Sequence, residues 1–352
     1  MANVQNTKNL LLSHFREYPS AQIEDIFKFL HQSAFGCGHM VSDEEGALEY
    51  IEKEKNSVSC SSENKIEMLD GEFCRVHLTC LNKGMRAQTL ARLFYLSSKC
   101  KSSGLGALQQ KLRTARELVK EELLPFSLEE FDTALNEWKG EGFCARHHSD
   151  AFRQAYSPSY RVISSKYARF VPLFERIDEI KNQNAILAIE GGSAAGKSTL
   201  ADILRDVYDC AVFHMDDFFL RSEQRTPERY AEIGGNIDRE RFLSEVLLPL
   251  REGKTVEYRR FDCCEMKITA PEKITPKRLN VVEGAYSMHP ELEKYYDLSV
   301  FLDVDEDTQR ARIEKRNSPA LAKRFFSEWI PMERKYFLAT SIKDRCDLHI
   351  KA

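Results

Sequence analysis

The segment Ala185-Ile-Leu-Ala-Ile-Glu-Gly-Gly-Ser-Ala-Ala-Gly-Lys-Ser-Thr-Leu200 constrains this chain more than any other. It reads as a short apolar strand, a glycine-bounded loop and the start of a helix. Gly191 to Ser198 fit the pattern G-x-x-x-x-G-K-[ST]. A strand running into such a loop leaves successive backbone N–H groups pointing at one spot, and the following helix adds the positive end of its dipole there. The expected phosphate-binding residues are therefore Gly191, Gly192, Ser193, Ala194, Ala195, Gly196, Lys197, Ser198 and Thr199. Lys197 can reach the β/γ-phosphates, and the Ser198 hydroxyl can ligate Mg²⁺. A Gly/Ser-rich connector could match by chance, but Ile186 to Ile189 supplies the strand and Ser198 to Leu204 the helix. The segment implies binding of a nucleoside triphosphate, ATP or GTP.

A strand that feeds such a loop is usually the first of its sheet, yet this one begins near the middle of 352 residues. Two domains follow from that, with the seam in the polar stretch Asp178 to Asn184. The expected division is a mostly helical α+β N-terminal domain over 1–182 and a P-loop α/β domain over 183–352. The latter would be a parallel sheet with helices on both faces. Its strand candidates are Ala211–His214, Leu279–Val282, Leu298–Leu302 and Asp347–Ile350. Its helix candidates are Arg239–Arg251, Pro290–Tyr296, Glu306–Arg316 and Ala320–Leu338.

In the first half, Ile23 to Leu30 carry apolar residues at helical spacing. Ser42-Asp-Glu-Glu45 and Ser127-Leu-Glu-Glu130 both fit a capping box, and Phe126 and Phe131 could staple the second. Ser57 to Glu63 reads as a loop, and Ile66 to Leu78 as a hairpin turning at Asp70-Gly71.

The formal charge of −4 gives no general attraction for nucleic acid or anionic membranes. No apolar run is long enough to span a bilayer, and no basic stretch followed by an apolar core opens the sequence. Ten scattered cysteines then read as reduced thiols, and the expected compartment is cytoplasmic.

Open parallel sheets bind ligands at the carboxyl ends of their strands. Asp216 and Asp217 follow the second strand, whose end should lie beside the phosphate loop. A carboxylate there can take the proton of an attacking hydroxyl or help to hold the metal; the plainer alternative is capping of a turn. Glu283 ends another strand, where it could bind Mg²⁺ directly or through water, or simply be an exposed acid.

Taken together, Gly191 to Ser198, Asp216-Asp-Phe-Phe219, Val282-Glu-Gly284 and Val300 to Asp307 resemble uridine kinase and its relatives. Nicotinamide riboside kinase and phosphoribulokinase belong to the same P-loop group. The resemblance covers about the last half of the chain. It implies transfer of a γ-phosphoryl group from ATP or GTP to a hydroxyl of a small nucleoside-like or sugar-like metabolite, with Asp216 as the base. It also implies a lid carrying arginines. Arg316 is the preferred lid contact, with Arg312, Lys323 and Arg324 beside it; a solvated charged helix is the alternative. Arg260, Phe261 and Asp262 stand where the family contacts its nucleoside, but Met266 replaces an expected histidine, so pyrimidine recognition does not carry over. Ser318 to Arg324 also replaces the family's Arg-Gly-Arg. Asp238 could hold sugar hydroxyls or cap the next helix.

No family resemblance covers residues 1–180. Cys37, His39, Cys144, His147 and His148 could in principle bind Zn²⁺, but their spacing fits no standard finger. Arg146 to Arg161 interleaves bases with aromatics, suited either to stacking a ring and holding an anion or to packing through Tyr156 and Tyr160. Two other readings of the whole chain stay open. One is a regulatory NTP-binding switch acting through the N-terminal domain; the other makes that domain an independent enzyme. A homo-oligomer is compatible with either.

Overall fold

The computed structural model describes residues 2–56, 58, 65–262 and 265–352. Val58 apart, the expected Ser57-to-Glu63 loop lies outside the described residues, as do Cys263 and Cys264. The chain divides into two compact units, 1–178 and 179–352.

In the first unit, helices α1 (Ala2–Glu17), α2 (Ile23–Phe35) and α3 (Glu44–Lys55) precede a hairpin of β1 (Ile66–Met68) and β2 (Phe73–His77). Then come α4 (Ala87–Ser98), α5 (Gly104–Lys120), α6 (Leu128–Gly140), α7 (Asp150–Tyr156), β3 (Tyr160–Ser164) and α8 (Val171–Glu179). The three strands form one antiparallel sheet with β2 in the centre. Ser127 and Glu130 make the reciprocal cap expected of them. At α3 the cap falls one residue later than expected: Asp43 accepts from the Gly46 amide at 2.7 Å, while Ser42 donates to Asp43.

The second unit opens with β4 (Ala185–Gly191), α9 (Lys197–Tyr208) and β5 (Ala211–His214). Every residue of β4 is buried, as a parallel strand covered on both faces requires. Next come α10 (Pro227–Ala231), α11 (Arg239–Phe242) and α12 (Leu248–Arg251), the last two joined by a wider π-type turn over Leu243–Leu247. Short pairs follow, β6 (Val256–Tyr258) with β9 (Glu272–Ile274) and β7 (Phe261–Asp262) with β8 (Lys267–Ile268). β10 (Leu279–Glu283), β11 (Leu298–Asp303), α13 (Glu306–Arg316), α14 (Pro319–Arg324), α15 (Ile330–Thr340), α16 (Ile342–Arg345) and β12 (Leu348–Lys351) complete the chain.

Five of these strands make a parallel sheet in the order β12-β11-β4-β10-β5. Two single helices expected from sequence are each interrupted. Pro249 and Pro331 have no N–H for the residue four back, so the backbone widens before each of them, at Leu243–Leu247 and Phe325–Trp329. Pro290–Tyr296 holds only a 3₁₀ turn at Glu293–Tyr295 instead of the expected helix. Among the described residues, no helix is long and apolar enough to cross a membrane.

Candidate active site at the carboxyl edge of the parallel sheet

The loop after β4 begins at a position with no room for a bulkier side chain. Gly191 has φ +147°, and a Cβ there would stand 2.5 Å from the Leu302 carbonyl oxygen of the neighbouring strand. Lys197 opens α9 and folds back, donating to the carbonyls of Gly191 at 2.9 Å and Gly192 at 3.0 Å. Gln309 donates to the Ser193 carbonyl at 2.8 Å and Arg312 to that of Ala194 at 3.0 Å. The loop is thus pinned from α13 as well as from its own helix.

Two buried glutamates that the sequence reading did not single out complete the frame. Glu190, the residue before Gly191, is wholly buried. It accepts from the amides of Gly191 (2.9 Å), Tyr286 (3.1 Å) and Met288 (3.0 Å) and from the Tyr336 hydroxyl (3.2 Å). Burial pushes its carboxyl up to about 7, against the pull of those amides and of Lys197. Glu333 of α15 accepts from the amide and hydroxyl of Ser193. Burial raises its pKa, which Lys197 and the Ser193 bonds oppose. The only sequence signal for Glu190 was an acid inside an otherwise apolar strand.

The sheet order revises one expectation. β5 does not neighbour the loop strand, because β10 lies between them. Glu283 of β10 pairs in register with Ile189 on one side and His214 on the other. It is therefore Glu283 that meets the loop directly. Its Oε1 accepts from the Ser198 hydroxyl at 3.1 Å and is hydrogen-bonded to His214 Nδ1 at 2.5 Å. Burial alone would raise its pKa, but the His214 bond and the Lys197 charge hold it below the usual range. The same bond raises the pKa of His214. Gly284 follows at φ +146° with Met215 so close that a Cβ would lie 2.6 Å from the Met215 Cβ, which seats the Met215–Phe218 turn against β10.

That turn carries Asp216 and Asp217. Asp216 is exposed to solvent yet ringed by protein groups, as a residue on a cleft wall would be. Desolvation and the nearby Glu283 raise its pKa, while Lys197, His214 and Arg316 oppose. Asp217 accepts from the Tyr258 hydroxyl at 3.3 Å and stands 3.7 Å from the Arg260 guanidinium; desolvation again raises it. Arg260 is half exposed and also pairs with Glu272 at 2.5 Å. Phe261 is buried, and Asp262 accepts from the Glu265 amide at 3.0 Å.

Asp238 takes the plainer of its two expected roles. It is buried and caps α11, accepting from the Arg241 amide at 3.2 Å and from Gln224 at 2.9 Å. Arg316 is exposed, with its guanidinium 5.9 Å from the Phe325 ring, and Arg324 pairs with Glu328.

In the first unit, among the described residues, no group of three or more His, Cys, Asp or Glu side chains is placed to hold a metal ion. Cys37 is buried against the Phe94 carbonyl, Cys144 is exposed and His148 pairs with Asp25.

Residues 186–318 match the model of the phosphoribulokinase / uridine kinase family. The chain is 26% identical over 149 residues to uridine kinase-like protein 4 of Arabidopsis thaliana, covering 40% of this chain and 32% of that protein. To the uridine kinase of Chlamydia pneumoniae it is 26% identical over 171 residues, covering 44% and 77%. It thus spans about a third of the length of the plant relative. Among solved structures, one described as a possible uridine kinase from Bacillus stearothermophilus aligns with a TM-score of 0.42 at 20% identity, covering 52% of this chain and 98% of that one. The C-terminal half resembles this kinase group; the matches leave the N-terminal half outside.

Proposed function

We propose that the C-terminal unit is an ATP- or GTP-dependent kinase that phosphorylates a hydroxyl of a nucleoside-like or sugar-like metabolite in the cytoplasm. What supports this most is one convergence. Lys197, Ser198, Glu283 and Asp216 come from one helix start and two strand ends, and their charges and hydrogen bonds act on one another at the same sheet edge.

The backbone from Gly191 to Ser198, with Lys197 and Thr199, would hold the triphosphate. The Ser198 hydroxyl and the Glu283 carboxylate are hard oxygen donors already side by side, a set that suits magnesium. When bound, the nucleotide supplies the phosphoryl group and the ion spreads its negative charge.

Asp216 accepts the proton of the acceptor hydroxyl. A carboxyl raised above its ordinary range is a stronger base at neutral pH than an unperturbed one. Asp217, steadied by Tyr258 and Arg260, with Phe261 and Asp262 beyond it, lines the acceptor side. Arg316 closes over the transferring group from the lid. Positioning and charge neutralisation are most of what such a transfer needs.

The test is incubation with magnesium and ATP or GTP, with and without a panel of nucleosides and sugars. Acceptor-dependent release of the diphosphate together with a phosphorylated product is expected. Hydrolysis at one rate whatever the acceptor would replace this reading by the regulatory switch.

A further inference from the structure

One face of the sheet in the first unit is largely polar and turned inward. Register pairs Glu67 of β1 with Arg75 of β2, and His77 of β2 with Tyr160 of β3, so alternation sets all four on that face. The helices above add His14 from α1, Gln32 from α2 and His148 from just before α7. An apolar layer would close such a sheet at far lower desolvation cost.

Most of the polar atoms of these groups have partners. Arg75 is wholly buried; its Nε donates to Gln32 Oε1 at 2.8 Å and its Nη1 to Glu67 Oε2 at 3.0 Å. The second Glu67 oxygen meets His14 Nδ1 at 2.5 Å. Asp25 orients His148 at 2.7 Å, and His148 Nε2 is hydrogen-bonded to the Tyr160 hydroxyl at 2.6 Å. The Tyr160 ring in turn lies 4.6 Å from the Arg75 guanidinium.

Among the described residues, three buried nitrogens on this face nevertheless have no hydrogen-bond partner: Arg75 Nη2, His14 Nε2 and His77 Nε2. Interiors rarely leave such groups unmet, and here the unmet ones share neighbours. His14 and Arg75 hold the same carboxylate and the same Phe29 ring, while His77 and Arg75 both border Tyr160. His77 and Tyr160 are part-exposed, and Lys65, bonded to His77 through the backbone, is too. The solvent-facing end of this polar face is therefore at His77, Tyr160 and Lys65, with Arg75 deeper inside.

We propose that this face binds a small ligand through an oxyanion, carboxylate or phosphate, which accepts from Arg75 Nη2 with His14 and His77 beside it. The free edge of a guanidinium suits such an oxygen group. Burial lowers the pKa of both imidazoles, that of His77 to about 4, while the Glu67 contact opposes it at His14. An anion beside them favours a protonated ring, whose Nε2–H would donate as well. The inference uses no residue of 183–352 and is independent of the kinase reading.

The test uses the full chain carrying Lys197→Ala, so that phosphate bound at the nucleotide loop does not register. Inorganic phosphate and malonate are the probes, and the imidazole ¹⁵N signals of His14 and His77 are the readout. A saturable shift of these signals by at least one probe is expected. A response to phosphate alone identifies a phosphorylated ligand, and a response to malonate alone a carboxylate ligand. Arg75→Lys, which keeps the charge opposite Glu67 but loses the planar fork, should weaken the apparent affinity by about tenfold or more. His77→Phe, near the entrance, tests the site through the His14 signal if the lysine variant does not fold, and should also weaken it. No saturable shift with either probe, or an undiminished shift in the variants that fold, overturns the site.

Discussion

The Ser193 amide donates to Glu333 Oε2 at 2.9 Å and the Ser193 hydroxyl to Glu333 Oε1 at 2.6 Å, tying the phosphate loop to a helix 140 residues further along the chain. One turn on, the Tyr336 hydroxyl of the same helix donates to Glu190, at the end of β4 where the loop begins. The start of the loop is therefore held twice by α15, in addition to its own turn.

Removing the first of these ties should loosen nucleotide binding. The Lys197 ammonium already offsets the Glu333 charge, so lost anchoring outweighs relief of repulsion. Glu333→Ala is expected to weaken ATP affinity by roughly tenfold, a cost of about 1–2 kcal/mol for the two bonds. Calorimetric titration checks it; unchanged affinity would remove Glu333 from the binding frame.

Asp216→Asn should lower turnover by about 10²–10⁴-fold, the usual worth of a general base, while nucleotide affinity persists. Single-turnover kinetics beside equilibrium binding separate the two. Normal turnover would remove Asp216 as the base.

Glu283→Gln should raise the magnesium concentration needed for half-maximal turnover, because one hard anionic donor next to Ser198 is lost. The change should be about tenfold. A magnesium titration that superimposes on the parent's would assign Glu283 to holding His214 alone.

Gly191→Ala meets both a left-handed backbone and the Leu302 carbonyl. Unfolding stability of the second unit should drop by about 2–4 kcal/mol. Urea denaturation reads this, and a loss below about 0.5 kcal/mol would contradict the close strand approach.

The first unit should weaken in mild acid. Burial, with help from His39 and Lys28, lowers the His31 pKa from 6.5 to about 4, and burial likewise lowers His77 and His148 to about 4. Below pH 6.5 the unfolded chain binds protons that these folded imidazoles refuse, so stability falls as pH drops from about 6.5 towards 4. His31 is the most separable of the three, being packed near Trp138 and His39 with no acid partner among the described residues. His31→Phe should flatten the slope by about 1–3 kcal/mol over that window. Equal slopes in parent and variant would show that His31 titrates normally.

Local physics made one part of the site legible from the chain alone. The sequence from Ile186 to Leu204 sets strand, loop and helix by its own backbone demands, so the phosphate-loop residues can be named without a fold. Asp216 and Glu283 could be nominated because each follows an apolar strand run, and strand ends are where parallel sheets place ligands. The caps at Ser127 and Asp238 are likewise three-residue events, decided by neighbours in sequence.

Tertiary structure decided what depends on which strands adjoin and which side chains meet across long separations. That β10 rather than β5 borders the loop strand follows from sheet order, and it is why Glu283 touches Ser198. Glu190 and Glu333 gain their roles from partners 96 to 146 residues away, invisible to any local pattern. The inward polar face of the first unit arises in the same way. Glu67, Arg75 and Tyr160 carry no motif, and only strand register aligns them under His14 and His148. Short-range backbone preferences can be read one segment at a time, whereas burial and charge pairing exist only once distant segments pack.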